Sequence, residues 1–153
     1  MLKDDIHNKI IARLEDVCQW FAEQRKDMFF PIYSSYDIRD SGFKVSTVDA
    51  NIFPAGFNNI CAVDQEEAGA LAKKYLEANY PGGAKKVLLL GEEHTNNAYY
   101  WENVRTLKKI FEDSGREVLV GIPKEFDDVL EVKTSAGHTV KVCSAKRKNG
   151  NLN

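Results

Sequence analysis

Two polar tracts hold most of the groups in this chain that are able to do chemistry. The first, Ser34 to Cys61, reads SSYDIRDSGFKVSTVDANIFPAGFNNIC and carries Asp37, Arg39, Asp40, Asp49, Asn51, Asn58 and Asn59. Its apolar residues keep no steady period, so it is read as an irregular segment that must satisfy its own backbone. The polar side chains are then either an internal hydrogen-bonding scaffold or a surface turned towards a ligand. Arg39 is the candidate for gripping a carboxylate, because its planar fork offers two parallel donors and Asp37 and Asp40 can hold it in place. A structural ion pair is the competing reading. Asp49 can receive an ammonium group, Asn51, Asn58 and Asn59 can donate to a carboxylate, and Gly42 and Gly56 permit close backbone approach.

The second tract, Glu92-Glu93-His94-Thr95-Asn96-Asn97, follows directly on the apolar run Lys85 to Gly91. In open parallel sheets ligands settle beyond the carboxyl ends of strands, so its position matters more than its composition. His94, Thr95 and Asn97 present donors and acceptors suited to a small polar molecule. Plain helix capping by Thr95, Asn96 or Asn97 competes with that reading. Metal binding is disfavoured: three sequential residues cannot all point the same way, and no second His or Cys stands at ligand spacing. Nor does a nucleophile with a base partner emerge, since nothing in the spacing pairs Cys61 with His7, His94 or His138.

These groups need elements to position them. From Asp5 to Gln24 apolar residues recur at three-to-four spacing and predict one amphipathic helix. Pro31 makes Met28 to Tyr33 an extended edge or turn. A second helix is expected to start at Asp64 as cap, with Glu67 three residues on, and to stop at Tyr80-Pro81-Gly82-Gly83. Lys85 to Gly91 and Glu117 to Pro123 read as strands buried on both faces, joined by a helix that runs to Gly115. Together they make a parallel strand, helix, strand unit with a right-handed crossover. Residues 130–133 and 139–142 alternate around Ser135 to His138 as a hairpin does. The fold class is therefore α/β, a two-layer or three-layer sheet with a C-terminal β-hairpin. Residues 1–145 are expected to form a single domain, and 146–153, KRKNGNLN, a disordered or truncated tail.

Composition narrows the classes of function. At 153 residues and 43% apolar content the chain has room for an ordinary core. A net charge of −2 with scattered lysines offers no face to a phosphate backbone, so nucleic acid is not expected as a partner. No run is long enough to cross a bilayer, which argues against a membrane partner. Three cysteines without CxxC spacing fit reduced thiols and a cytoplasmic location. A lone Gly91 after the first strand does not make a dinucleotide fingerprint, and no GxxxxGK[ST] loop occurs.

The motifs DIRDSGFK, VDANIFPAGFNN and EEHTNN followed by Tyr99-Tyr100 resemble the amino-terminal part of the proteobacterial-type glutamate-cysteine ligase family, related to ATP-grasp enzymes. The resemblance spans most of the chain. It implies an ATP-dependent ligase of glutathione biosynthesis that activates the side-chain carboxyl of glutamate as an acyl phosphate and joins it to the amino group of cysteine. ATP and magnesium are the implied cofactors of a full-length member, with none bound by this chain alone, and glutamate and cysteine are the implied small-molecule partners. Members of the family are much longer, so the resemblance casts this chain as a pre-ATP-grasp fragment, inactive alone because the nucleotide-binding portion lies beyond Asn153. On this basis Arg39, Asp49, Asn51, Asn58, Asn59, His94 and Asn97 are assigned to amino-acid recognition, in one pocket formed by both tracts. A stand-alone amino-acid-binding or regulatory domain is the alternative. A third reading has the first tract pack against a missing domain, leaving an apolar patch prone to self-association.

Overall fold

A computed structural model describes residues 2–93, 96–148 and 151–152. It divides into two compact units, residues 1–54 and 55–153, where the sequence suggests one domain over 1–145. The first unit contains two helices, α1 (Leu2–Ala12) and α2 (Leu14–Arg25), and a two-stranded antiparallel sheet of β1 (Ser35–Asp40) and β2 (Val45–Asn51). The single helix predicted over Asp5 to Gln24 is thus two. Arg13 departs from helical geometry with φ −129° and ψ 30°, and its Nε donates to Asp16 Oδ2 at 3.0 Å. Apolar spacing runs on undisturbed across that one residue, which is why periodicity does not register the break.

The segment read as irregular is largely a hairpin. Asp40 Oδ1 accepts from the amide of Gly42 at 2.8 Å, and Ser41 N donates to Lys44 O at 3.1 Å, closing the turn between the strands. Gly42 sits at φ +85°, so glycine there serves the left-handed turn and not a close approach. The register shifts between Asp37 and Ile38, which leaves Val48 as an extra residue on β2.

In the second unit, α3 (Ala62–Asn79), β3 (Lys86–Leu90), α4 (Ala98–Asp113) and β4 (Glu117–Ile122) are followed by β5 (Leu130–Lys133) and β6 (Thr139–Ser144). The sheet order is β3-β4-β6-β5, with β3, β4 and β6 parallel and β5 antiparallel to β6. The strand, helix, strand unit and the hairpin are therefore present, and the hairpin joins the same sheet through β6. A further two-residue pairing, β7 (Arg147–Lys148) with β8 (Asn151–Leu152), lies in the stretch read as a tail.

Trp101, Val104, Leu107 and Ile110 recur every third residue along α4 and are all buried. Trp101 and Val104 pack on Val120, Ile122, Val140 and Val142 of the sheet, and each such side chain contributes about 1.5–3 kcal/mol on burial. On β4, Val118, Val120 and Ile122 are buried on one face, while on the other Gly121 is buried and Leu119 is 49% exposed. Burial on both faces is thus only partial; Val87, Leu88 and Leu89 of β3 are half-buried and Leu90 is exposed.

Helix α3 starts at Ala62 with Cys61 as its cap, so the cap lies three residues earlier than predicted. Asp64 instead stands in the first turn, where its Oδ2 accepts from Cys61 Sγ at 3.1 Å. The expected capping box of Asp64 and Glu67 is not found: the cap makes no side-chain hydrogen bond to a helix amide, and Asp64 meets the cap residue through its thiol. Gly69 lets α3 approach α4, since a Cβ there would lie 3.2 Å from Asp113 Cβ.

Candidate functional site

In the first unit, the hairpin register decides which candidate side chains share a face. Ser35 pairs with Asn51, Asp37 with Asp49 and Arg39 with Ser46, and directly opposed residues project on the same side. Alternation along β1 puts Ser35, Asp37 and Arg39 together, and the extra residue Val48 restores Ser46 to that side of β2. One face is accordingly polar throughout, whereas Tyr36, Ile38, Val45 and Ala50 belong to the other. Arg39, Asp49 and Asn51, three of the predicted recognition residues, fall on the polar face and are exposed.

Local bonds organise this face. Asp49 Oδ1 accepts from the amide of Ala50 at 3.0 Å and Oδ2 accepts from Asn51 Nδ2, also at 3.0 Å. Asp37 and Asp49 stand directly opposite one another, a like-charge pairing that an ammonium group would relieve. Arg39 lies two residues along the same face from Asp37, so carboxylates and a guanidinium are presented side by side. Asp40, expected to hold Arg39, belongs to the opposite face and is committed to the turn amide of Gly42.

In the second unit, Asn58 and Asn59 lie in a single 3-10 turn, Phe57–Asn59, and Asn58 Nδ2 donates to Asn59 Oδ1 at 3.2 Å. That turn is fastened to α4, where the amide of Phe57 donates to Asn103 Oδ1 at 2.9 Å. Gly56, at φ +79°, provides the left-handed entry to the turn. Asn97 caps α4, its Oδ1 accepting from the amide of Tyr99 at 3.0 Å. The capping role weighed for this residue is thus present. Helix α4 therefore carries Asn97 at its start and holds the Asn58-Asn59 turn along its body. His94 and Thr95 fall outside the described residues.

Two residues position this tract in roles not assigned from sequence, although Tyr100 belongs to one of the motifs that carry the family resemblance. Tyr100 Oη accepts from the amide of Glu92 at 2.9 Å, pinning the chain as it leaves β3. Gly91 makes room for it, because a Cβ there would stand 3.2 Å from that oxygen and 3.4 Å from Ile122 Cγ2. Asn103 is the other, at 6% exposure among the buried residues of α4, where Thr106 is the second polar one. A polar residue in register with core positions is the signal that identifies it.

The β5–β6 turn is tied to the same helix. Glu102 lies 3.2 Å from Arg105 Nη1 through Oε1 and 3.4 Å from His138 Nδ1 through Oε2. Burial alone would raise the Glu102 pKa, but hydrogen bonds from Thr134 and His138 and the charges of Arg105 and His138 outweigh it and hold the carboxyl below its ordinary value. Cys61 Sγ donates to Asp64 Oδ2 at 3.1 Å, and His138 Nδ1 lies 3.4 Å from Glu102 Oε2. Among the described residues no group of three or more His, Cys, Asp or Glu is placed to hold a metal ion. Among the described residues no helix is long and apolar enough to cross a membrane.

Comparison with known proteins bears on this arrangement. A crystal structure from Methylobacillus flagellatus KT, of a protein described as a candidate gamma-glutamylcysteine synthetase, is similar to 97% of this chain with a TM-score of 0.87 and 31% identity. The match covers 35% of that protein, so the present chain spans about a third of its length. No curated protein matches. A family model described as GshA, glutamate-cysteine ligase, matches residues 7–153, and the chain belongs to the glutamate-cysteine ligase family.

Proposed function

We propose that this chain serves the ATP-dependent joining of glutamate to cysteine that yields γ-glutamylcysteine, the first step towards glutathione, and that it supplies amino-acid recognition. The observation that carries the proposal is the polar face of the β1–β2 hairpin. Asp37, Arg39, Asp49 and Asn51 together offer what an amino acid demands: carboxylates for an ammonium group, and a guanidinium and an amide for a carboxylate. Arg39 takes the substrate carboxylate, and Asp49, held by Asn51, takes the ammonium. Asn58, Asn59, His94 and Asn97 belong to the second unit and are proposed, on their chemistry alone, as a separate set of amide and imidazole groups able to meet an amino acid.

ATP and magnesium are the cofactors such a ligase requires. They are assigned to a full-length family member, of which the Methylobacillus flagellatus protein, matched over 35% of its length, is an example, and amino-acid binding is assigned to this chain. Cys18, Cys61 and Cys143 are free thiols, which suits a reducing cytoplasm.

Calorimetry on the 153-residue chain tests the proposal. Glutamate or cysteine should give saturable heat, whereas magnesium-ATP alone should give none. Absence of affinity for both amino acids would refute it.

A further inference from the structure

The first unit lacks a core of its own. From residue 3 to residue 54 no side chain is buried, although the segment holds two helices, a hairpin and many large apolar residues. Ordering a residue costs on the order of 1–2 kcal/mol of backbone entropy, and burial is the main term that offsets it. The apolar stripe that the sequence places on α1 and α2 is present but uncovered. Between the two helices runs a cleft of about 710 Å³, lined by Ile6, Ile10, Val17 and Trp20 with Lys9 and Arg13 beside them. Trp20 is 55% exposed, and Phe21, Met28 and Phe29 after it are exposed too. An apolar floor with charged neighbours is the form of a groove that receives the apolar face of another segment.

We infer that this groove is a docking surface for the polypeptide that family members carry outside the stretch matched by these residues. The Methylobacillus flagellatus protein supplies the reason. Its fold includes the counterpart of nearly the whole chain, yet about two-thirds of its length lies outside the match. A polypeptide of that size has ample apolar side chains to fill the α1–α2 groove. The inference rests on family membership and is independent of the amino-acid reading.

Trp20 is the reporter. A chimera in which these 153 residues replace the matched stretch of the Methylobacillus flagellatus protein is compared with the chain on its own by acrylamide quenching. Trp101 is 4% exposed and gives a protected baseline, and a Trp20→Phe variant of each protein isolates the Trp20 signal. Trp20 should be quenched freely in the isolated chain at every concentration and protected in the chimera. Ile10→Asp should lower the unfolding midpoint of the chimera while leaving that of the isolated chain in place. Three results overturn the inference: a chimera whose Trp20 stays open to quencher, a chimera that does not fold, or an isolated chain whose Trp20 is already protected. In the last case, protection that grows with concentration identifies a second copy as the occupant.

Discussion

Asn103 Oδ1 accepts the backbone amide of Phe57 at 2.9 Å, a bond between residues 46 positions apart. It places a buried amide among the core-facing residues of α4, and it fixes the turn that bears Asn58 and Asn59. Replacing Asn103 by Leu keeps the bulk and removes the acceptor. A buried amide left without its partner costs about 1–3 kcal/mol, so Asn103→Leu should lower the unfolding free energy by that amount in denaturant titrations. Loss of affinity for glutamate or cysteine should exceed the loss in a destabilised control such as Val142→Ala, which touches the core alone.

The Glu102 carboxyl gives the chain a defined acid response. Its folded-state pKa lies below the ordinary 4.5, so the unfolded state binds the proton more readily. The stability this provides is fully present above 4.5 and is lost as pH falls through the lower folded value. Glu102→Gln should remove that part of the decline in a series of unfolding curves taken across the acid range. An unchanged acid slope would show that the Glu102, His138 and Thr134 cluster contributes nothing to it.

Gly91 and Tyr100 form a matched pair at the end of β3. Gly91→Ala forces the Tyr100 hydroxyl or the Ile122 side chain to move, and overpacking of this kind costs about 1–3 kcal/mol. Tyr100→Phe removes the acceptor for the exposed amide of Glu92 and should cost about 0.5–1.5 kcal/mol. Because both changes act on one contact, the double variant should fall short of their sum. Additive values in a double-mutant cycle would argue that Gly91 is not there for Tyr100.

Asp37 faces Asp49 across the hairpin, and directly opposed like charges cost about 0.2–1 kcal/mol. If the pair is kept to receive an ammonium group, Asp37→Asn should stabilise the free chain while weakening amino-acid binding. Thermal unfolding and calorimetry on the same variant separate the two effects. A variant both more stable and equally tight would make the pairing incidental.

How much of this was legible in sequence depends on which residues carried the contrast. The strand, helix, strand unit was readable because Trp101, Val104, Leu107 and Ile110 keep helical spacing between two apolar runs, and the structure buries all four. The β1–β2 hairpin was not. Tyr36-Asp37-Ile38-Arg39 does alternate, but Val48 interrupts the period on the partner strand, and with both faces exposed there is no buried set to reinforce it. The recognition residues were chosen for their chemistry alone. The register then gathers Arg39, Asp49 and Asn51 on one face and places Asn58, Asn59 and Asn97 on elements held by α4, while Asn103, Gly91 and Tyr100 act through atoms that only coordinates reveal.

The most direct test of amino-acid recognition by the hairpin is an NMR titration of the 15N-labelled chain with glutamate and with cysteine. One of the two should shift the Arg39 Nε–H signal and the Asn51 side-chain amide, saturating at a common dissociation constant, and Arg39→Ala should abolish the response. Saturable shifts that spare every residue from 35 to 51, or none with either amino acid, would contradict it.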